Sequence, residues 1–312
     1  MNVTQQGSIT GHRRVRLSAA WGTLEPGIAL EKDMRTALLT LLIGSLIACG
    51  DKEDDTSTPE EADADTDSDT DSDADTDSDT DADLVAVDGC VAYDDGTPAS
   101  NKNVRVQMCN STGCSPAFPD ASGCFSFPGL GPTDYAFDVV PTGEDAGHTY
   151  ATPLSLVTLA PEQGSWTVEE PVVIYDFTTK TQLSTGTHSG GNGLTIEVDG
   201  AQFEGPIEDP DADWMASVSV DPAASGLPLD MFTGEVVAMW YLGPATAKVG
   251  PWAFSVDGLG LAEGTQLRAY NASYYDFTWI DLGTVTADAD GNLSSDDGVG
   301  IAHLSTLILV EE

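Results

Sequence analysis

The sequence predicts an all-β protein in which two immunoglobulin-like or prealbumin-like antiparallel β-sandwiches follow a disordered acidic linker. Three observations predict this class. From Leu84 onward apolar and polar residues alternate in short runs, Gly, Pro, Asn and Asp separate the runs, and no helical period intervenes. Roughly 230 residues remain after the non-globular part, enough to bury two modest cores or one large one.

Residues 1–48 have the features of an upstream extension and a signal peptide, with Met34 as the expected initiator. The apolar stretch, residues 37–47, is about half of the roughly 20 residues that a bilayer-spanning helix needs. It ends in Leu46-Ile47-Ala48-Cys49-Gly50, which resembles the bacterial lipobox. The resemblance implies that Cys49 is acylated, becomes the first mature residue and anchors the protein to a membrane. A buried helix ending in a lone cysteine is the alternative.

Residues 49–83 begin with the lipidated cysteine and continue as an acidic tether. Seventeen acids and a single base, Lys52, lie between Asp51 and Asp83, and every odd position from Asp63 onward is aspartate. Like charges at this density and the absence of large apolar side chains favour an extended, disordered spacer. Diffuse calcium binding by the carboxylates is the weaker alternative, because the run lacks the glycine turns of a fixed cage.

The first predicted domain, residues 84–178, contains expected strands at residues 85–93, 103–109, 123–128 and 135–140. The polar, glycine-rich segment 178–193 is a predicted boundary. The second domain, residues 179–312, contains seven expected strands, at residues 194–198, 215–220, 234–241, 252–256, 266–272, 278–286 and 300–310. Seven strands at this spacing favour an antiparallel sandwich of immunoglobulin type.

The order of motifs in the first domain is informative: Gly89-Cys90-Val91, Asp95-Gly96-Thr97-Pro98, Val104-Arg105-Val106, Gly123-Cys124-Phe125-Ser126-Phe127 and Tyr135-Ala136-Phe137-Asp138-Val139. This order resembles the carboxypeptidase regulatory-like domain over about 60 residues. The resemblance implies a small β-sandwich that acts as a non-catalytic accessory module and brings no active-site residues. The insertion that carries Cys109 and Cys114 departs from the family pattern and leaves the strand register there open.

Four cysteines, an even number, fall in the first domain of a chain with an export signal, which favours disulfides. Of the three possible pairings, the prediction is Cys109–Cys114 across a short turn and Cys90–Cys124 between the first and third strands. A zinc site of four thiolates is the alternative, but such a site normally shows paired cysteine knuckles, and Cys90 and Cys124 stand alone.

The acidic loop at residues 286–297 partly matches a calcium-binding loop. Asp288, Asp290 and Asn292 alternate as ligands do, Gly291 supplies a turn, and Asp297 falls at the closing carboxylate position. However, Thr286 occupies the first ligand position, and the flanking segments are strand-like. An ordinary acidic hairpin turn explains the same residues, because Asp-Gly-Asn tolerates positive φ.

Aromatic residues are frequent in the second domain, and most are expected in the core. Tyr274 and Tyr275 are adjacent, so on a strand they would point to opposite faces. One of them, exposed beside Trp279, would then suit stacking on a sugar ring or a partner protein.

Several functional classes are excluded or lack support. The chain carries a net charge of −41, and no basic stripe is present to neutralise phosphates, which excludes nucleic-acid binding. His148, His188 and His303 show no metalloprotease spacing, and the chain lacks a nucleophile elbow and a glycine-rich phosphate loop. No cofactor other than calcium is indicated.

These observations predict a non-enzymatic lipoprotein of the bacterial outer membrane or cell surface, with a binding or structural role. Its expected partners are the membrane, through the lipid, and a surface protein or glycan. A calcium- or carbohydrate-dependent adhesive module is the second hypothesis. A hydrolase is the third, because a triad scattered along the sequence leaves no local motif.

Overall fold

The computed structural model describes residues 84–100, 102–142, 148–296 and 298–312. The predicted signal peptide, lipid site Cys49 and acidic tether lie outside these residues. Within the described ranges there is no helix with the length and apolar character needed to cross a membrane.

The described residues form strands and two short 3-10 helices, Gly200–Gln202 and Pro222–Ala224, so the predicted all-β class is confirmed. In chain order the strands are β1 (Val85–Tyr93), β2 (Val104–Asn110), β3 (Gly113–Ala117), β4 (Cys124–Leu130), β5 (Asp134–Pro141), β6 (Leu154–Thr158), β7 (Ser165–Thr167), β8 (Val172–Ile174), β9 (Thr181–Gln182), β10 (Gly186–Gly191), β11 (Leu194–Val198), β12 (Trp214–Val220), β13 (Val236–Gly243), β14 (Ala247–Trp252), β15 (Phe254–Val256), β16 (Gln266–Ser273), β17 (Thr278–Thr286), β18 (Leu293–Ser294), β19 (Ile301–Leu304) and β20 (Thr306–Glu311).

The first sandwich packs two sheets face to face. In one sheet β1 pairs antiparallel with β4 on one edge and parallel with the short strands β7 and β8 on the other. The second sheet has the order β3-β2-β5-β6 and is antiparallel throughout. Phe125 of β4 and Phe137 of β5 meet between the sheets, with ring centroids 6.1 Å apart. Alternate residues such as Val104, Val106 and Val139 are fully buried in the same core.

The second sandwich is built on a six-stranded antiparallel sheet of order β17-β16-β20-β13-β12-β9. A four-stranded sheet, β10-β11-β15-β18, and the pair β14-β19 contribute the other side of its core. Ile196 and Phe254 of the four-stranded sheet belong to the same buried cluster as Trp240 and Leu307 of the six-stranded sheet. This cluster is the second hydrophobic core.

Strands β13 and β20 are buried on both faces. Trp240 and Leu242 of β13 lie in the second core, while Met239 and Tyr241, one residue out of step, lie in the first core together with Ile308 of β20. Successive side chains of a strand point to opposite faces, and continuous apolar runs are typical of strands covered on both sides. The six-stranded sheet therefore contributes to both cores, and the first core contains residues of both predicted domains. The boundary near residue 178 remains a prediction.

Both predicted disulfides are present. Cys90–Cys124 joins β1 to β4, and Cys109–Cys114 closes the hairpin between β2 and β3. In each case the two cysteines are directly opposite partners in an antiparallel ladder. The structure therefore settles the strand register that the insertion had left open.

Most predicted strands match within two residues at each end, but two are broken. The run 252–256 belongs to β14 and β15, which pair in different sheets, and the run 300–310 divides into β19 and β20 at Ser305. Ser305 is buried, and its hydroxyl donates to the Ala272 carbonyl at 2.5 Å. The glycine-rich segment 178–193 contains β9 and β10. Gly190 allows a close approach, since a Cβ there would lie 2.7 Å from the Leu194 side chain and would force that side chain to move.

Candidate functional site

The predicted calcium loop forms a tight turn, closed by its own first aspartate, between two strands that belong to different sheets. The Asp288 carboxylate accepts the backbone N–H groups of Asp290 at 2.8 Å and Asn292 at 2.9 Å. The Asp288 N–H donates in turn to the Asn292 carbonyl at 2.9 Å. No group of three or more His, Cys, Asp or Glu side chains is placed to hold a metal within the described ranges. Asp297 lies outside them, so calcium binding at this loop remains a prediction.

The predicted aromatic stacking residues do not share one surface. Tyr274 and Tyr275 lie in the turn between β16 and β17, not on a strand, and both are half-buried. Tyr275 donates its hydroxyl to the Thr246 carbonyl at 2.8 Å, and Lys248 Nζ lies 3.9 Å from the centre of its ring. Trp279 on β17 is buried and lines a different cavity from Tyr274. The expectation of an exposed tyrosine on a strand is wrong because the hairpin turns before Tyr274.

The cavity beside Trp279 is a groove of about 470 Å³ between the two sandwiches. We call it the junction groove. The first sandwich contributes the ends of β5 and β6 and strand β7, and the second contributes the loop after Pro228 and the start of β17. The lining includes acidic, amide, aromatic and methionine side chains, which are Asp134, Gln163, Trp166, Asp230, Met231, Phe277 and Trp279.

The walls of the junction groove are aromatic and its rim is acidic. Trp166 is half-buried and meets Phe137 edge to face at 6.1 Å between centroids, which fixes its ring. Phe277 has a φ of +51°, in the left-handed region that bulky residues rarely adopt. Met231 exposes 57% of its surface. An exposed apolar side chain in a groove that aromatic residues line is typical of a surface that a ligand covers.

Polar groups are available at the same groove. Asp134 and Asp230 are exposed, and Asp134 accepts a hydrogen bond from the Thr158 hydroxyl at 2.6 Å. The indole Nε1 of Trp279 is buried without a hydrogen-bond partner. Burial of an unpaired donor lowers the stability of the fold, so the Trp279 indole lies at this groove at an energetic cost.

Sequence reasoning singled out only Trp279 among these residues. Trp166 lies in a segment where no strand was predicted, and Asp230 and Met231 lie in a turn between strands. The groove residues come from four separate parts of the chain and meet only because the two sandwiches pack together. No local pattern carries that information.

Within the described residues, His188 and His303 do not form nucleophile and base pairs with their neighbouring serines. His188 Nε2 donates to the Ser184 carbonyl at 2.6 Å, so this nitrogen carries its proton and cannot accept one from the Ser184 hydroxyl. His303 Nε2 lies 3.4 Å from the Ser273 hydroxyl, but that hydroxyl is fully buried and donates to Asp276 at 2.8 Å.

The other ring nitrogen of His303, Nδ1, is buried without a partner, whereas a triad needs a third group there to orient the base. Burial also lowers the pKa of His303. His148 pairs with Asp176 at 2.7 Å.

No family model and no curated protein matches the chain. Among solved structures, a DUF3823 family protein from Bacteroides ovatus is similar at 11% identity, over 73% of this chain and 81% of that chain, with a TM-score of 0.23. The Streptococcal ancillary pilin is similar at 11% identity, over 74% of this chain and 54% of that one, with a TM-score of 0.23. The major pilin subunit of Bacillus cereus is similar at 8% identity, over 68% of this chain and 84% of that chain, with a TM-score of 0.23. TM-scores of this size carry no argument about the function of this chain.

Proposed function

We propose that the protein is a lipid-anchored, extracytoplasmic lipoprotein that binds a glycan in the junction groove without acting on it chemically. The observation that carries the binding role is the juxtaposition of aromatic rings, an exposed methionine and two exposed carboxylates in one groove. A sugar ring presents apolar C–H faces and a rim of hydroxyl groups. Aromatic walls suit the faces, and carboxylate oxygens at the edge accept from the hydroxyls.

The charge of the groove restricts the class of glycan. Asp134 and Asp230 are the charged residues that line it, and both are acids. An anionic polymer would be repelled by this pair, whereas a neutral or amino sugar would not. The proposed ligand is therefore a neutral or cationic glycan.

A glycan panel followed by calorimetric titration tests this role. Met231→Ala and Asp230→Asn should each weaken binding of the selected glycan by roughly five- to tenfold, which corresponds to the loss of about 1 kcal/mol of contact. Phe118→Ala is the matched control, because Phe118 is 59% exposed but lies outside the groove. Equal effects of the groove variants and the control, or no binding to any neutral glycan, would contradict the proposal.

The lipid anchor rests on the leader and Cys49, and the two disulfides support it because such bonds persist in oxidising compartments. Intact-mass measurement of the membrane-extracted protein under non-reducing conditions should show acyl groups on Cys49 and four oxidised thiols. Cys49→Ala should move the protein from the membrane fraction to the soluble fraction. Recovery of an unprocessed, reduced chain from the cytosol would refute the anchor.

The non-catalytic part of the proposal rests on the histidine geometry within the described residues. Ser273 is buried and bonded to a carboxylate, and His188 presents a donor, not an acceptor, to its serine. A screen of esterase, glycosidase and peptidase substrates should give no turnover that depends on Ser273 or His303.

A further inference from the structure

A second cavity, of about 260 Å³, lies between the sandwiches and is separate from the junction groove. Its lining includes Arg105 and Asp138 of the first sandwich and Trp214, Thr246 and Tyr274 of the second. We call it the Asp138 cavity.

Asp138 is 3% exposed, and its Oδ1 has no hydrogen-bond partner. Burial of a carboxyl without a partner is costly, and buried acids are normally paired. Arg105, the cation in the lining, forms no hydrogen bond with the Asp138 Oδ1. Arg105 pairs with Glu208 at 3.3 Å, and with the Gln107 amide oriented to accept, its guanidinium donates to Gln107 Oε1 at 2.8 Å.

The position of Asp138 on its strand explains how a carboxyl came to be buried. Asp138 lies directly opposite Gln107 in the β2–β5 ladder, on the face of the sheet away from the Phe137 core. Residues of the second sandwich, Trp214 and Tyr274 among them, help to cover that face. The aromatic residues that line the cavity with Asp138 are Tyr150, Phe177, Trp214 and Tyr274.

Two further features mark this cavity. Thr246 has a φ of +66°, a strained conformation for a β-branched residue, and strain of this kind clusters at functional sites. Two hydrogen bonds hold Thr246 in place. The Tyr275 hydroxyl donates to the Thr246 carbonyl at 2.8 Å, and the Ile207 N–H donates to the Thr246 hydroxyl at 3.3 Å. Ile207 is 58% exposed although it lines the cavity.

We infer that the Asp138 cavity binds a small organic ammonium ion, whose N–H groups pair with the buried carboxylate and whose alkyl part lies against the aromatic walls. An ammonium group supplies the donors and the positive charge that Asp138 lacks, and aromatic faces attract cations. Because Arg105 and Glu208 pair with each other, Asp138 and Asp209 leave the lining net negative. The inference does not depend on glycan binding in the junction groove.

Ligand binding should be linked to a proton. Burial raises the pKa of Asp138 from 3.8 to about 8, with Arg105 lowering it and Glu208 raising it. At pH 7 most of the carboxyl is therefore protonated, and a bound cation would displace that proton.

The other charged and titratable groups of the lining are Arg105, Glu208, Asp209, Tyr150 and Tyr274. None of these is a histidine or a thiol, the side chains that ordinarily titrate near pH 7 to 9. The His148 ring stacks on the Tyr150 ring, with their centroids 5.6 Å apart, and its Nδ1 pairs with Asp176. His148 itself does not line the cavity.

The test is a calorimetric titration of the whole protein with n-butylammonium, and with n-butanol as the neutral probe of similar shape. Butylammonium should bind and butanol should not. Its affinity should rise about tenfold from pH 7 to pH 9, because the ionised fraction of a group with a pKa of about 8 rises about tenfold over that interval. In buffers of different ionisation enthalpy, nearly one proton should be released per ligand at pH 7 and almost none at pH 9.

Asp138→Asn should abolish both the binding and the proton release, while Asp257→Asn, at an exposed position outside the cavity, should keep both. Should Asp138→Asn fold poorly, the pH profile of the unaltered protein still decides the matter. Equal affinity for butylammonium and butanol, no binding of either, or an affinity independent of pH would overturn the inference. These outcomes leave the glycan proposal untouched, because the groove variants do not line this cavity.

Discussion

The buried carboxyl of Asp138 should make the stability of the protein depend on pH in a way that one substitution removes. The folded-state pKa is raised by burial to about 8, whereas the unfolded chain titrates near 3.8. The fold therefore favours the protonated form. Its stabilising effect is complete below pH 3.8, declines as the pH rises, and is lost above pH 8. Each unit of pKa difference corresponds to about 1.4 kcal/mol, so between pH 5 and pH 9 the loss is about 4 kcal/mol.

Asparagine has nearly the same shape and cannot ionise, so Asp138→Asn should lack this loss. Urea denaturation of the unaltered protein and of Asp138→Asn at pH 5, 7 and 9 measures this loss of unfolding free energy. The free energy of unfolding of the variant, relative to the unaltered protein, should rise by about 4 kcal/mol from pH 5 to pH 9. Asp257→Asn, at an exposed position, controls for removal of one charge from an acidic surface. A stability difference that is the same at pH 5 and pH 9 would refute the reasoning.

Two further predictions concern the cores. Replacing Cys90 and Cys124 by alanine opens a loop of 34 residues and should cost about 4 kcal/mol, whereas the same change at Cys109 and Cys114, a separation of 5, should cost about 2 kcal/mol. Urea midpoints of the two double variants check this, and equal losses would contradict the loop-entropy argument. Tyr241→Phe should raise the free energy of unfolding by about 1–3 kcal/mol, because the buried hydroxyl has no partner; an unchanged or lower value in the same urea assay would count against it.

The strands were predictable where one face is buried and the other meets solvent. Strand β1 shows strict alternation, and its predicted limits, like those of β11 and β17, agree with the structure. The short strands β7 and β8 were not predicted, because three residues are too few to show a period. Their position is set by parallel pairing with β1, which is a contact between distant parts of the chain.

The candidate sites were not predictable, for a reason that Asp138 shows plainly. In the run from Tyr135 to Val139 the apolar residues alternate, and the pattern assigns Asp138 to the solvent face of its strand. Part of the cover over that face comes from the second sandwich, and the sequence of the first domain contains no sign of this contact. The same holds for Trp166, whose place in a groove depends on residues more than 60 positions away.

The distribution of positive charge is the reason we expect both proposed sites to favour neutral or cationic ligands. Beyond Leu84 the chain contains five basic residues, and four of them already contact acids or aromatic rings within the described part of the protein: Arg105, Lys180, Lys248 and Arg268. Among the five, Lys102 shows no such contact within the residues that the structure describes, and it lines neither cavity. An anionic ligand would therefore meet carboxylates at both sites and find no basic partner in the groove, and in the Asp138 cavity only an arginine already paired with Glu208. Because the repulsion acts through exposed carboxylates, salt should weaken it, and any binding of an anionic glycan should increase with ionic strength, the reverse of ordinary charge pairing.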